Sequence, residues 1–161
     1  MTRFRVGNGF DAHRLVSGRA LRLGGVHVPS DRGLEGHSDG DCAIHALCDA
    51  LLGAASAGDM GQHFPSSDPR WKGTDSLIFL EHVRRLLDER GWGIENVDVT
   101  VIAQAPALAP HLGLMREALA RRLGLELEDV SVKVKSTDGL GALGRSEGIA
   151  AQATALLRSI D

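Results

Sequence analysis

Aromatic side chains are scarce in this chain, with four Phe, two Trp and no Tyr among 161 residues. Its core must therefore be built from Leu, Val, Ile and Ala. Only two cysteines occur, Cys42 and Cys48. Six residues of helix would separate them by about 9 Å along the axis, too far for one disulfide. A reduced, cytoplasmic protein is the expectation. No apolar run approaches membrane-spanning length, and Met1-Thr-Arg-Phe-Arg-Val lacks the apolar centre of a secretory signal. The net charge is −3 and no basic run is present, so no nucleic-acid or membrane partner is expected. Repeats and linker-like stretches are also missing. Residues 1–161 read as a single domain, long enough to bury roughly two-thirds of its unfolded surface.

Glycine is abundant instead, with 20 residues that cluster around polar ones. The richest stretch runs from Gly36-His-Ser-Asp-Gly-Asp to Gly53 and on to Gly58-Asp-Met-Gly61. Asp39 and Asp41 suit a helix cap, because short carboxylates accept from unpaired first-turn N–H groups. Ile44, Leu47, Leu51 and Leu52 then follow helical spacing to about Ala57. Asp41, His45 and Asp49 fall on one face of that helix, four residues apart.

Around it the chain alternates between two periods. Phe4 to Phe10 reads as a short strand, with Asp11 and His13 paired on one side of its end. Leu21 to Val28 reads as a small hairpin or a bulged strand about Gly24-Gly25, and Ser30 to Gly36 as a loop. The Phe64 to Gly73 stretch carries two prolines and no periodicity, which marks a loop or lid. Asp75 caps a helix over Leu77–Leu87 that Gly91 stops; another runs from Pro110 through Leu123 to Gly124. Val97–Ala103 and Val130–Lys135 alternate as strands. A Gly-rich turn over Asp138–Gly144 leads to an expected last helix, Glu147 to about Ser159, with Ile149, Ala153, Leu156 and Leu157 inward. The expected fold is α+β, a small mixed β-sheet covered by helices on one face. A neighbouring subunit of a symmetric oligomer would cover the other face.

Asp11, His13 and His45 make the three ligands that a catalytic zinc site needs, with a fourth position open. Asp41 is a rival ligand on the same helix. Asp-x-His alone is a weak signal, and a lone helical His is more often packed or solvated than ligating. His37-Ser38 precedes a helix N-terminus, where phosphates are attracted, although taken by itself the pair reads more readily as a simple capping turn. Ser136-Thr-Asp-Gly-Leu-Gly offers hydroxyls, a carboxylate and flexible backbone, matching a phosphate cradle in composition only. Asp138 suits a magnesium ion or a turn, and Arg145 with Glu147 a plain ion pair.

Gly9-Phe-Asp-Ala-His-Arg, Gly36-His-Ser-Asp-Gly-Asp through His45 to Gly53, Gly58-Asp-Met-Gly, Phe64-Pro-Ser-Ser-Asp, Ala103-Gln-Ala-Pro and Leu140-Gly-Ala-Leu-Gly-Arg-Ser-Glu-Gly occur in that order. Together they resemble the 2-C-methyl-D-erythritol 2,4-cyclodiphosphate synthases of the non-mevalonate isoprenoid pathway, from about Val6 to the C-terminal element. The resemblance implies a homotrimer with active sites between subunits. The implied reaction closes 4-diphosphocytidyl-2-C-methyl-D-erythritol 2-phosphate to a cyclic diphosphate and releases CMP. Asp11, His13 and His45 match the zinc ligands, and Asp138 matches the ligand of a second divalent ion, magnesium or manganese.

His37 and Ser136 match the catalytic positions beside the phosphates, and Ser38 a phosphate contact. Asp59, Gly61, Phe64 and Asp68 match erythritol contacts. Ala103, Ala105, Pro106, Ala109, Lys135, Ser136, Thr137 and Asp138 match the segments around the cytidine and its diphosphate, contributed by the neighbouring subunit. Arg145, Glu147 and Phe10 match residues of an axial channel. Four positions depart from the family pattern. Ser136 and Asp138 replace the commoner Thr and Glu, Ser66 an Asp, and Ala142 a Phe near the axis. By the same resemblance Asp41 and Asp49 become structural acids. A zinc phosphohydrolase and a trimeric binding module with structural zinc are the competing readings.

Overall fold

The computed structural model describes residues 1–160. Its centre is a five-stranded sheet in the order β4-β1-β7-β5-β6. In chain order these are β1 (Phe4–Ser17), β4 (Arg32–Leu34), β5 (Trp92–Ile102), β6 (Val130–Lys135) and β7 (Gly148–Ser159). β7 runs antiparallel to both β1 and β5, whereas β5 and β6 are parallel, so the sheet is mixed as expected. A separate hairpin joins β2 (Leu21–Leu23) to β3 (Val26–Val28), turning at Gly24 and Gly25, so the alternation there marks a hairpin and not a bulged strand.

Three helices pack on one sheet face: α1 (Cys42–Ala54), α3 (Ser76–Glu89) and α4 (Leu112–Leu123). Two single-turn helices complete the fold, α2 (Met60–His63) and α5 (Gly141–Gly144). The caps fall where the sequence places them. Asp41 accepts from the Ile44 N–H, Asp75 accepts from the Leu77 N–H, and Gly124 ends α4 in the left-handed region. Cys42 and Cys48 are both free and buried in α1.

The expected C-terminal helix is a strand, and this is the main correction. Gly148–Ser159, nearly all of the expected Glu147–Ser159 helix, forms β7, the central strand. Its alanines favour helix locally, but tertiary pairing on both edges overrides propensity. Ile149, Ala151, Ala153, Ala155 and Leu157 point under α1 and are buried, while Gln152, Thr154 and Arg158 are exposed. The alanines are there because α1 lies close to the sheet, where larger side chains would not fit.

β1 is also longer than expected. It continues past Phe10 because β7 pairs with it from Phe4 to Arg14, so Asp11 and His13 stand inside a strand and not at its end. Part of the expected Ser30–Gly36 loop is β4, paired with Leu15–Ser17.

The close seat of α1 has a plain cause. A methyl group on Gly9 would stand 1.9 Å from the Ala46 carbonyl oxygen, and one on Gly7 equally close to that of Ala50. Only glycine lets the helix backbone lie on the strand here. The opposite sheet face carries no helix, and there Phe4, Val6 and Phe10 are 61–70% exposed.

Candidate metal centre and substrate cavity

Alternation along β1 puts Asp11 and His13 on the face that Gly7 and Gly9 open to α1, and the helix brings His45 down onto them. Asp11 Oδ2 lies 2.8 Å from His13 Nε2 and 3.0 Å from His45 Nδ1. The two ring nitrogens are 3.3 Å apart. Among the described residues this is the one group of three His, Cys, Asp or Glu side chains close enough to hold a metal ion together.

The donor set fits a divalent metal. His13 Nδ1 is 2.6 Å from the Glu35 carbonyl, an acceptor only, so that nitrogen carries the proton. Nε2 can then present its lone pair to a cation, the arrangement usual for metal-bound histidine. Burial alone would raise the Asp11 carboxyl, but hydrogen bonds and charge from His13 and His45 outweigh it and hold the group at about 2. The hydrogen bond to Asp11 raises His13 against the opposing effect of burial.

Asp41 is not a ligand. It is fully buried and accepts from the Gly24, Gly25 and Ile44 N–H groups, tying the hairpin to the start of α1. Asp49 accepts from the Met60 N–H and so anchors α2.

The triad lies in a cavity of about 420 Å³. His37, Ser38, Gly61 and Phe64 line it, as expected for contacts near the triad, and so does Asp49. Met60, Trp71 and Phe79 also line it and were not foreseen, since no local pattern separates a wall residue from a core residue. Phe64, Trp71 and Phe79 pack with ring centroids 4.5–5.6 Å apart, making the Phe64–Gly73 segment a wall. Asp59 instead caps α2 through the Gln62 N–H, and Asp68 pairs with Arg70 and caps the turn over Pro69–Trp71.

The other expected residues lie elsewhere in the chain. Ala103, Pro106, Ala109, Lys135 and Ser136 line a separate hollow of about 230 Å³ between the ends of β5 and β6. Ala105, Thr137 and Asp138 are not among its lining residues; Asp138 accepts from the Ser136 hydroxyl. Arg145 pairs with Glu147 at 2.8 Å in an exposed position. The cavity and the hollow share no lining residue.

Fold and site together define an α+β domain with a three-ligand metal centre at the wall of a ligand-sized cavity. The model of the YgbB family matches residues 4–158. A 2-C-methyl-D-erythritol 2,4-cyclodiphosphate synthase of Azotobacter vinelandii is 53% identical over 97% of this chain and 99% of its own length. A bifunctional IspD/IspF enzyme of Novosphingobium aromaticivorans is 58% identical over 96% of the chain, which spans 40% of that longer protein. Among solved structures, a 2C-methyl-D-erythritol-2,4-cyclodiphosphate synthase in a form bound to CDP has a TM-score of 0.88 at 40% identity, covering 95% of this chain and 99% of its own. The bifunctional IspDF of Campylobacter jejuni has a TM-score of 0.96 at 37% identity, covering the whole chain and 44% of its own. The chain therefore belongs to the YgbB family, that of the cyclodiphosphate synthases, and is an enzyme of that family.

Proposed function

We propose that the chain converts 4-diphosphocytidyl-2-C-methyl-D-erythritol 2-phosphate to 2-C-methyl-D-erythritol 2,4-cyclodiphosphate and CMP, a phosphorus–oxygen lyase step of isoprenoid biosynthesis in the cytoplasm. The observation that carries it is the Asp11–His13–His45 cluster beside His37 and Ser38 in one cavity. The substrate's own 2-phosphate oxygen forms a bond to the β-phosphorus. The bond from that phosphorus to the bridging oxygen breaks, and its electron pair leaves with CMP.

No protein nucleophile is needed, so the residues' task is to fold the substrate for in-line attack and to balance charge. Asp11, His13 and His45 would hold zinc, which supplies Lewis-acid polarisation of a phosphate oxygen when bound. His37 and the Ser38 hydroxyl donate to the phosphates. Gly61, Met60 and Phe64 shape the wall against the erythritol carbons, with Asp59 and Asp68 fixing the turns that carry them.

The cytidine half is assigned to the second hollow. Ala103–Ala109 offers backbone groups to the base, and Lys135, Ser136 and Thr137 meet the diphosphate. Asp138 would hold a second divalent ion, magnesium or manganese. Since the cavity and the hollow share no lining residue, the reading joins them across the subunits of a homotrimer. The uncovered sheet face with Phe4, Val6 and Phe10 supports such an assembly. Arg145 would stand near the axis. The product decides the reading: incubation with the cytidyl substrate should release CMP and the cyclic diphosphate, and a linear diphosphate would contradict it.

A further inference from the structure

His45 reaches the centre through Nδ1, so its other nitrogen has to be held. Nε2 lies 2.9 Å from Ser76 Oγ and 3.2 Å from Ser38 Oγ. Ser76, at the first turn of α3, is fully buried, and its hydroxyl bonds to Asp39 Oδ1 at 2.5 Å. Asp39 also accepts the Ser76 N–H at 2.9 Å and the Asp41 N–H at 3.0 Å.

A hydroxyl has one proton, and a carboxylate has none to give. The Ser76 proton therefore points to Asp39, and toward His45 the Ser76 oxygen can only accept. That contact requires a proton on His45 Nε2, so the nitrogen left to give its lone pair to a cation is Nδ1, 3.0 Å from Asp11 Oδ2. The Glu35 carbonyl does the same for His13.

We propose that Asp39 and Ser76 are positioning residues of the metal centre, a carboxylate–hydroxyl relay that sets the tautomer and ring orientation of His45. The relay also divides the labour of two serines. Ser76 is committed to the ring, so Ser38, which lines the cavity, is free to turn its hydroxyl to a phosphate. It ties the start of α3 to a ligand on α1, elements that share no sequence pattern. The inference rests on the reading of the triad as a metal site, but not on the identity of the reaction.

Cobalt(II) is the probe, with affinity measured by chelator competition and the coordination sphere by its visible d–d absorption. Ser76→Ala keeps the backbone N–H bond to Asp39, so the fold should survive, with melting of the metal-free variant as the check. We expect affinity to fall roughly 10–100-fold, the usual loss when a partner behind a metal ligand is removed, with an altered d–d band. Ser76→Thr, which keeps the hydroxyl, should restore both, and Asp39→Asn should weaken binding in the same direction. Unchanged affinity and spectrum in Ser76→Ala would overturn the relay, as would an Asp39→Asn protein indistinguishable from the parent. Failure of the unmutated protein to bind cobalt would instead overturn the metal site itself.

Discussion

At the scale of single residues the molecule separates its acids by what surrounds them. Asp11 has two imidazoles and an open cavity, whereas Asp41 has three backbone N–H groups and no solvent. The first is placed to meet a cation together with the two imidazoles, the second to hold a hairpin against a helix. Asp41→Ala should thus cost about 2–4 kcal/mol of stability, since it removes a cap and strands buried donors. Chemical denaturation of the metal-free protein checks this. His45→Ala should do the opposite, abolishing turnover and tight metal binding while circular dichroism and subunit assembly are retained. A protein that unfolds or dissociates on that change would support structural zinc instead.

The scale of elements shows what could be read from the chain and what could not. α3 and α4 are legible because apolar spacing and terminal signals agree, α1 from its Asp41 cap and apolar spacing, and β6 from its alternation. Glu147–Ser159 misled because its alanines satisfy helical spacing and alternate burial alike; only the two flanking strands decide between them. The Asp11–His13 pair could be seen from spacing of two, but Ser76 meets Asp39 and His45 only when α3 docks. Trp71 and Phe79 likewise become cavity wall only in three dimensions.

The contact of α1 with β1 gives a prediction at this scale. Gly9→Ala drives a methyl group into the Ala46 carbonyl, so the helix must lift and His45 must withdraw from Asp11. We expect a loss of about 3 kcal/mol from overpacking, with metal affinity falling in whatever fraction remains folded. Native-like metal binding in that variant would contradict the close seat.

α3 carries a pH effect remote from the triad. Burial, Arg85 and His63 hold the His82 imidazole below its ordinary 6.5, against the nearby Glu89, while its ring packs edge-on to Phe64 at 5.2 Å. With the folded value depressed, the contribution of His82 is fully present above the unfolded value and is lost as pH falls through the folded one. Acidification from pH 7 to 5 should therefore narrow the gap in melting temperature between the parent and His82→Gln. An imidazole NMR titration with its midpoint above 6.5 would contradict this.

At the scale of the whole molecule, one chain presents a metal-ready cluster, a separate small hollow with Lys135, Ser136 and the adjacent Asp138, and a sheet face on which Phe4, Val6 and Phe10 are exposed. In the proposed trimer each metal centre works with the next chain's cytidine half-site. Native mass spectrometry of the purified protein, with metal analysis of the same sample, tests that claim most directly. The expected species is three chains carrying one zinc per chain at the triad. A zinc-free monomer would contradict both the centre and the assembly.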